Sequence, residues 1–342
     1  MYLFQVKLHR PTFHRLPFLD IWCQWDSGWY LNIARRWYPA HVNFARYSNY
    51  GFFPLYPLLI RILKFVTRDY VISGLIISNL ALLCAAYFLY KLVKLDNDEQ
   101  TALGSVKYLF LFPFAFILSG LFTESLFLFL VILSFYFARR EKWHYAGIAG
   151  LLASLTRLNG VLLIIPLLYE YVISRKENKQ RPFGSFLWLL FIPAAAALFS
   201  FYTYCRIGDW LAYLHNKVLA WGFGSQDPFQ TLLGGLTGFT DFPVFLMSSV
   251  ILIMFLLLIL FAKKIRIPYF IFGLLLFIIP LCSRDPAVLT GMPRYILAAF
   301  PLFMILACLA KNRFLDSSLT FLCILLQGIF MVFWVGGFKV II

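Results

Sequence analysis

Trp25-Asp26-Ser27-Gly28-Trp29-Tyr30-Leu31-Asn32-Ile33-Ala34, followed by Phe52-Phe53-Pro54-Leu55-Tyr56-Pro57, decides how the rest of the chain is read. A lone carboxylate sits among aromatic rings, just ahead of a long series of apolar segments. Those segments run for roughly 18–22 residues between short charged loops, the length a helix needs to cross about 30 Å of hydrocarbon. Ten candidates lie near 70–92, 103–120, 122–138, 145–157, 160–173, 185–205, 243–262, 267–283, 293–310 and 316–336. Of 342 residues, 62% are hydrophobic and 13% charged, too little charge to cover a soluble surface of that size. The expected class is an all-α polytopic membrane protein, a single integral membrane domain over 1–342. In it, 1–69 forms a first extracytoplasmic loop with interfacial helices, 70–336 holds the apolar segments and 206–242 is a long outer loop.

The net charge of +15 is not a nucleic-acid footprint, because the basic residues are spread over short loops. Lys91 and Lys94, Arg139 to Lys142, Arg175 to Arg181, Lys263 to Arg266, and Lys311 with Arg313 fall on one side if each segment crosses once. The positive-inside rule makes that side cytoplasmic. Asp26, Glu124, the stretch from Arg206 to Asp241 and the stretch from Arg284 to Arg294 then share the opposite face. Nine basic residues before position 70 run against the rule. The six cysteines are scattered with no CxxC pair, so they read as buried small hydrophobes. Aromatic residues make up 20% of the chain; most read as lipid-facing filler and interfacial belts, and part of the 39 Phe is surplus to bilayer packing and suits a lipid groove.

Basic clusters flank 145–173 on both sides, so one crossing cannot keep both in the cytoplasm. A hairpin with its tip at Thr156-Arg157-Leu158-Asn159-Gly160 can, with Gly160 supplying backbone freedom. Asp209 to Asn216 reads as a helix on the outer membrane surface, and Ser225-Gln226-Asp227-Pro228 as a turn.

The two first-loop motifs resemble those of the PIG-V family, the second mannosyltransferase of GPI-anchor synthesis and its prokaryotic relatives, within the GT-C glycosyltransferases. Thr156-Arg157-Leu158-Asn159-Gly160, Met292-Pro293-Arg294-Tyr295 and Thr123-Glu124-Ser125-Leu126-Phe127 are similar to further family segments. The likeness runs from about residue 17 to about residue 300. Gly28-Trp29-Tyr30 is closer to the prokaryotic branch, and no apolar span precedes Asp26, whereas family members usually begin with one. The resemblance implies a GT-C-like transmembrane helix bundle whose first extracytoplasmic loop carries the catalytic Asp. It implies inverting transfer of a hexose, mannose first, from a polyprenyl-phosphate carrier to a glycolipid or surface glycan. No cofactor is implied. The membrane is the plasma membrane in a prokaryote or the endoplasmic reticulum in a eukaryote. Rival readings are a GT-C enzyme with another sugar or a protein acceptor, and a polytopic lipid or solute transporter.

Inverting transfer needs one base for the acceptor proton. Asp26 occupies the family's acidic position, beside Trp25, Trp29 and Tyr30, whose rings can stack on a sugar. Capping of a helix starting at Ser27 is the plainer alternative. Glu124 is expected to bind sugar hydroxyls or orient Asp26, unless it merely favours a helix N-terminus. Arg157 and Arg294 are expected to clamp the carrier phosphate, for which a guanidinium fork is suited; snorkelling at span ends competes. Asn159 joins them as a substrate contact. Asp20 is a weaker second carboxylate. His41 and His215 lack ligand spacing, so no metal site is expected.

Overall fold

The computed structural model describes residues 12–44, 46–177, 183–221, 224, 226–238, 241–283 and 288–337. The turn expected at Ser225 and the stretch 284–287 of the outer face lie outside the described residues. All regular elements among the described residues are helical. After one turn at Pro17–Asp20 come α1 (Ser27–Arg36), α2 (Leu55–Thr67), α3 (Tyr70–Val93), α4 (Glu99–Leu111) and α5 (Glu124–Arg139). Then follow α6 (Trp143–Thr156), α7 (Ile164–Glu177), α8 (Phe191–Ile207), α9 (Ala212–Trp221) and α10 (Pro228–Thr237). The last five are α11 (Phe242–Leu260), α12 (Ile267–Leu281), α13 (Val288–Ile296), α14 (Pro301–Leu309) and α15 (Arg313–Val335).

Several starts are fixed by side chains. Asp69 accepts from the Val71 and Ile72 amides at 2.7 and 2.9 Å, satisfying donors that a helix start leaves open. Asp98 and Asn312 do the same for α4 and α15. Among the described residues, five helical stretches are long and apolar enough to cross a membrane: 70–93, 158–176, 184–207, 242–260 and 313–335. The α13–α14 pair makes a sixth if its 71° bend is counted within one span. Large apolar side chains such as Leu80, Leu83, Phe321 and Val332 stay exposed on these helices, a surface suited to lipid. The chain is an integral, multi-pass membrane protein. α5 and α14 are its core: α14 is buried from Pro301 through Ala307, and α5 packs against α3 and α6.

Two of the expected apolar segments are broken. The helix expected over 103–120 stops at Leu111, where Phe112 turns extended (φ −55°, ψ 140°) ahead of Pro113. Proline removes a donor and disfavours helix in its predecessor. The irregular stretch that follows is almost wholly buried, which is what makes it tolerable at membrane depth. The segment expected over 293–310 breaks before Pro301. At the 156–160 tip, α6 ends, Arg157 is extended (φ −150°, ψ 140°) and a short 3-10 turn leads into α7. Gly160 serves there differently than expected. Its φ is not positive; a Cβ on it would lie 2.4 Å from the Ser154 amide nitrogen, so close approach to α6 requires glycine.

The two ends of the bundle are chemically distinct. At one end Arg139 and Arg266 pair with both Asp96 and Glu170, and Lys311 lies 2.7 Å from Asp98. These contacts gather the basic loops. Asp26, Glu124, Arg157 and Arg294 meet at the other end.

Candidate active site

The first loop is fastened before it reaches Asp26. Leu121 N donates to Trp22 O and Ser27 Oγ donates to Leu121 O, both at 2.9 Å, tying the loop to the irregular stretch between α4 and α5. Trp334 of α15 donates from Nε1 to Ile21 O at 2.8 Å, and its ring meets Trp25 edge-on at 4.7 Å. Trp25 has φ +40°, a conformation that costs a bulky residue about 1–3 kcal/mol and is held by such packing. Asp26 comes next, at the start of α1. Its side chain does not cap α1; it pairs instead with Arg294.

Four charged side chains converge, each from a helix end or half-helix. Glu124, the first residue of α5, accepts at Oε1 from Arg294 Nε at 2.5 Å and from Arg157 Nη1 at 2.6 Å. Arg294 Nη1 also donates to Asp26 Oδ2. Glu124 is sealed at 1% exposure, while Arg294, Asp26 and Arg157 keep 11%, 15% and 15%. The sealed carboxylate therefore anchors two arginines that, with Asp26, remain partly exposed. Arg157 Nη1 also donates to Thr123 Oγ1, which is hydrogen-bonded to the Tyr30 hydroxyl, both at 3.2 Å. Arg294 lies over Phe122 at 4.9 Å and Arg157 over Tyr295 at 5.2 Å. Such rings hold a guanidinium flat. Burial pushes the Tyr30 phenol up to about 12, so it stays a neutral hydroxyl at the cluster's edge.

The sequence reading missed Lys217. It stands on α9, with its ammonium 5.7 Å from the Phe52 ring and 5.8 Å from that of Tyr213. Burial pulls it down to about 8, Asp26 opposes the shift, and Arg157 and Arg294 add to it. Lys217 is thus a buried lysine that feels the cluster's charges. A signal existed: it is a lone lysine in an apolar, aromatic helix.

The remaining expected residues divide. Trp29 stacks on Phe52 at 5.8 Å. Trp25 is turned onto Trp334, so its ring holds the loop. Asn159 Nδ2 is buried with no hydrogen-bond partner among the described residues. Asp20 is fully buried and accepts from the amides of Thr12, Phe13 and His14 at 3.0, 2.6 and 2.8 Å. It organises its own loop, away from the cluster. His215 is tied to Asp209 at 2.7 Å, and His41 lines a separate cleft.

No protein-family profile matches the chain. Over 165 residues it is 28% identical to GPI mannosyltransferase 2 of Schizosaccharomyces pombe, covering 46% of this chain and 34% of that protein. The fold matches the crystal structure of ArnT from Cupriavidus metallidurans in the apo state, with TM-score 0.54 and 15% identity over 85% of this chain and 57% of that one. It also matches ArnT bound to undecaprenyl phosphate, with TM-score 0.55 and 14% identity over 84% and 58%. The chain thus spans 34% of the length of the curated relative and 57–58% of the solved structures. The architecture is the GT-C-like membrane helix bundle, in the form also seen in ArnT, and the PIG-V likeness of the first-loop motifs is upheld by the similarity to GPI mannosyltransferase 2.

Proposed function

We propose that the chain is an inverting glycosyltransferase that moves a hexose, mannose first, from a polyprenyl-phosphate carrier to a glycolipid or surface glycan. The observation that carries this reading is the partly exposed Asp26 carboxylate in an ion-paired cluster with Glu124, Arg157 and Arg294. In the reaction, the acceptor oxygen bonds to the anomeric carbon as the bond from that carbon to the phosphate oxygen breaks. Asp26 takes the acceptor proton, and the carrier phosphate leaves with an added negative charge. Arg157, Arg294 and Lys217 face that charge as it grows, so they bind the transition state better than the donor. Glu124 fixes both arginines, and Arg294 links the base to the phosphate position. Asn159 offers its unpartnered amide to the donor. The similarity to GPI mannosyltransferase 2 and the ArnT fold, one ArnT structure holding undecaprenyl phosphate, support the donor class.

The site belongs on the extracytoplasmic face, because the opposite end gathers the basic loops. A Thr237→Cys variant, at an exposed position of α10, is then labelled from outside intact cells. Labelling only after permeabilisation reverses the orientation. The deciding assay supplies membranes containing the chain with a panel of labelled polyprenyl-phosphate sugars. Transfer from the mannose donor is expected, transfer of another sugar changes the donor, and no transfer from any member rejects the reading.

A further inference from the structure

A cleft of about 400 Å³ opens between α1 and the 37–49 stretch, a size that accommodates a small ligand. Trp29, Trp37, Arg36 and Arg46 are among its lining residues, and none of the lining residues is acidic. The floor is built. Asn49, 6% exposed, donates from Nδ2 to Asn32 Oδ1 at 3.0 Å and to Trp37 O at 2.9 Å. Beside it Ser48, 9% exposed, has a buried Oγ with no partner among the described residues. A buried hydroxyl left unsatisfied is costly unless a ligand meets it.

The cleft adjoins the charged cluster. Trp29 stacks on Phe52, and Lys217 approaches the same Phe52 ring at 5.7 Å. Asn216, the neighbour of Lys217 on α9, donates to Arg46 O at 3.0 Å on the cleft side. The Phe52 ring and α9 therefore connect the cleft to Lys217.

We infer that this cleft is the acceptor site and that it takes an anionic glycan, a sugar bearing a phosphate or carboxylate. Indole faces stack on the C–H faces of a sugar ring, hydroxyl and amide groups meet its hydroxyls, and the two guanidinium groups meet the anion. Its acceptor role rests on the glycosyltransferase reading above; the ligand class rests on the lining alone.

The test is tryptophan-fluorescence titration of the detergent-solubilised chain with mannose 6-phosphate, methyl α-mannoside and inorganic phosphate. Mannose 6-phosphate is expected to bind at least roughly tenfold more tightly than either fragment, since both parts of the cleft are used. The Arg36→Gln, Arg46→Gln double variant, altered only at exposed positions, loses roughly tenfold for mannose 6-phosphate and little for methyl α-mannoside. Equal binding of inorganic phosphate and mannose 6-phosphate makes this a plain anion or lipid-headgroup site and overturns the inference. Unchanged binding by the double variant overturns it too. Binding is read without a transfer reaction, so failure here leaves the enzymatic reading standing, and failed transfer leaves the binding result standing.

Discussion

Each end of the bundle holds two arginines and two carboxylates in mutual contact, one of them a glutamate at 1% exposure gripped by both arginines. Glu124 takes that part beside Asp26, and Glu170 takes it beside Asp96. At the Asp96 end, Tyr269 donates to Asp96 Oδ2 at 3.3 Å, and the four charges balance. At the Asp26 end, the buried ammonium of Lys217 lies by the Phe52 and Tyr213 rings and feels the charges of Asp26, Arg157 and Arg294. Similar but not identical ion pairs therefore serve the two ends: at the Asp96 end both arginines reach both carboxylates, while at the Asp26 end only Arg294 does and a buried lysine stands near by. The lysine and the adjoining cleft set the Asp26 end further apart.

Four measurements sharpen or break this contrast. The largest effect is expected for Asp26→Asn, a loss of on the order of 10²–10⁴-fold in sugar transfer with an unchanged melting temperature. Asp96→Asn should leave transfer per folded molecule intact, and equal losses at both ends would remove the distinction. Next, Glu124→Gln and Glu170→Gln each remove the sealed carboxylate and leave one aspartate beside two arginines, at about 3–5 kcal/mol of stability. Thermal melts should shift similarly, while folded Glu170→Gln protein alone keeps normal turnover. Third, Arg157→Lys or Arg294→Lys replaces a fork with a point charge and should raise donor KM by roughly tenfold. The matching Arg139→Lys change should leave donor KM alone; a rise there would make both clusters mere scaffolding.

The smallest effect is in pH. Lys217, at about 8 in the free protein, is charged at pH 7 and loses its proton as pH rises through 8. Donor kcat/KM should therefore fall several-fold across that range, since this parameter reports the free enzyme. Lys217→Arg should abolish the fall, because guanidinium stays protonated. A wild-type profile flat to pH 9 would remove Lys217 from the phosphate's surroundings.

Asp26, Glu124, Arg157 and Arg294 were legible one by one, because each sits in a local motif. Their meeting was not legible: Arg294 reaches Asp26 across 268 positions and Glu124 across 170. Tertiary packing, which no short window carries, also reassigned Trp25 to Trp334 and Asp20 to its own loop. Lys217 belonged to no motif, and desolvation by neighbours distant in sequence gives it its character. The break after Leu111 was within reach, since Pro113 marks it, but apolarity masked the proline. Gly160 announced a special position without revealing that proximity was the reason.

The contact between Trp334 and the first loop also sets a timetable for synthesis. Trp334 closes on Ile21 from 313 positions away. At about 5–20 residues per second, a ribosome takes roughly 15–60 s to cover that distance. Through that interval the Asp26 loop lacks both Arg294 and the Trp334 brace, while earlier helices are already inserted and packing. The charged cluster and its brace thus cannot be complete until α15 has been made, and a nascent chain halted before α15 would carry inserted helices without that brace.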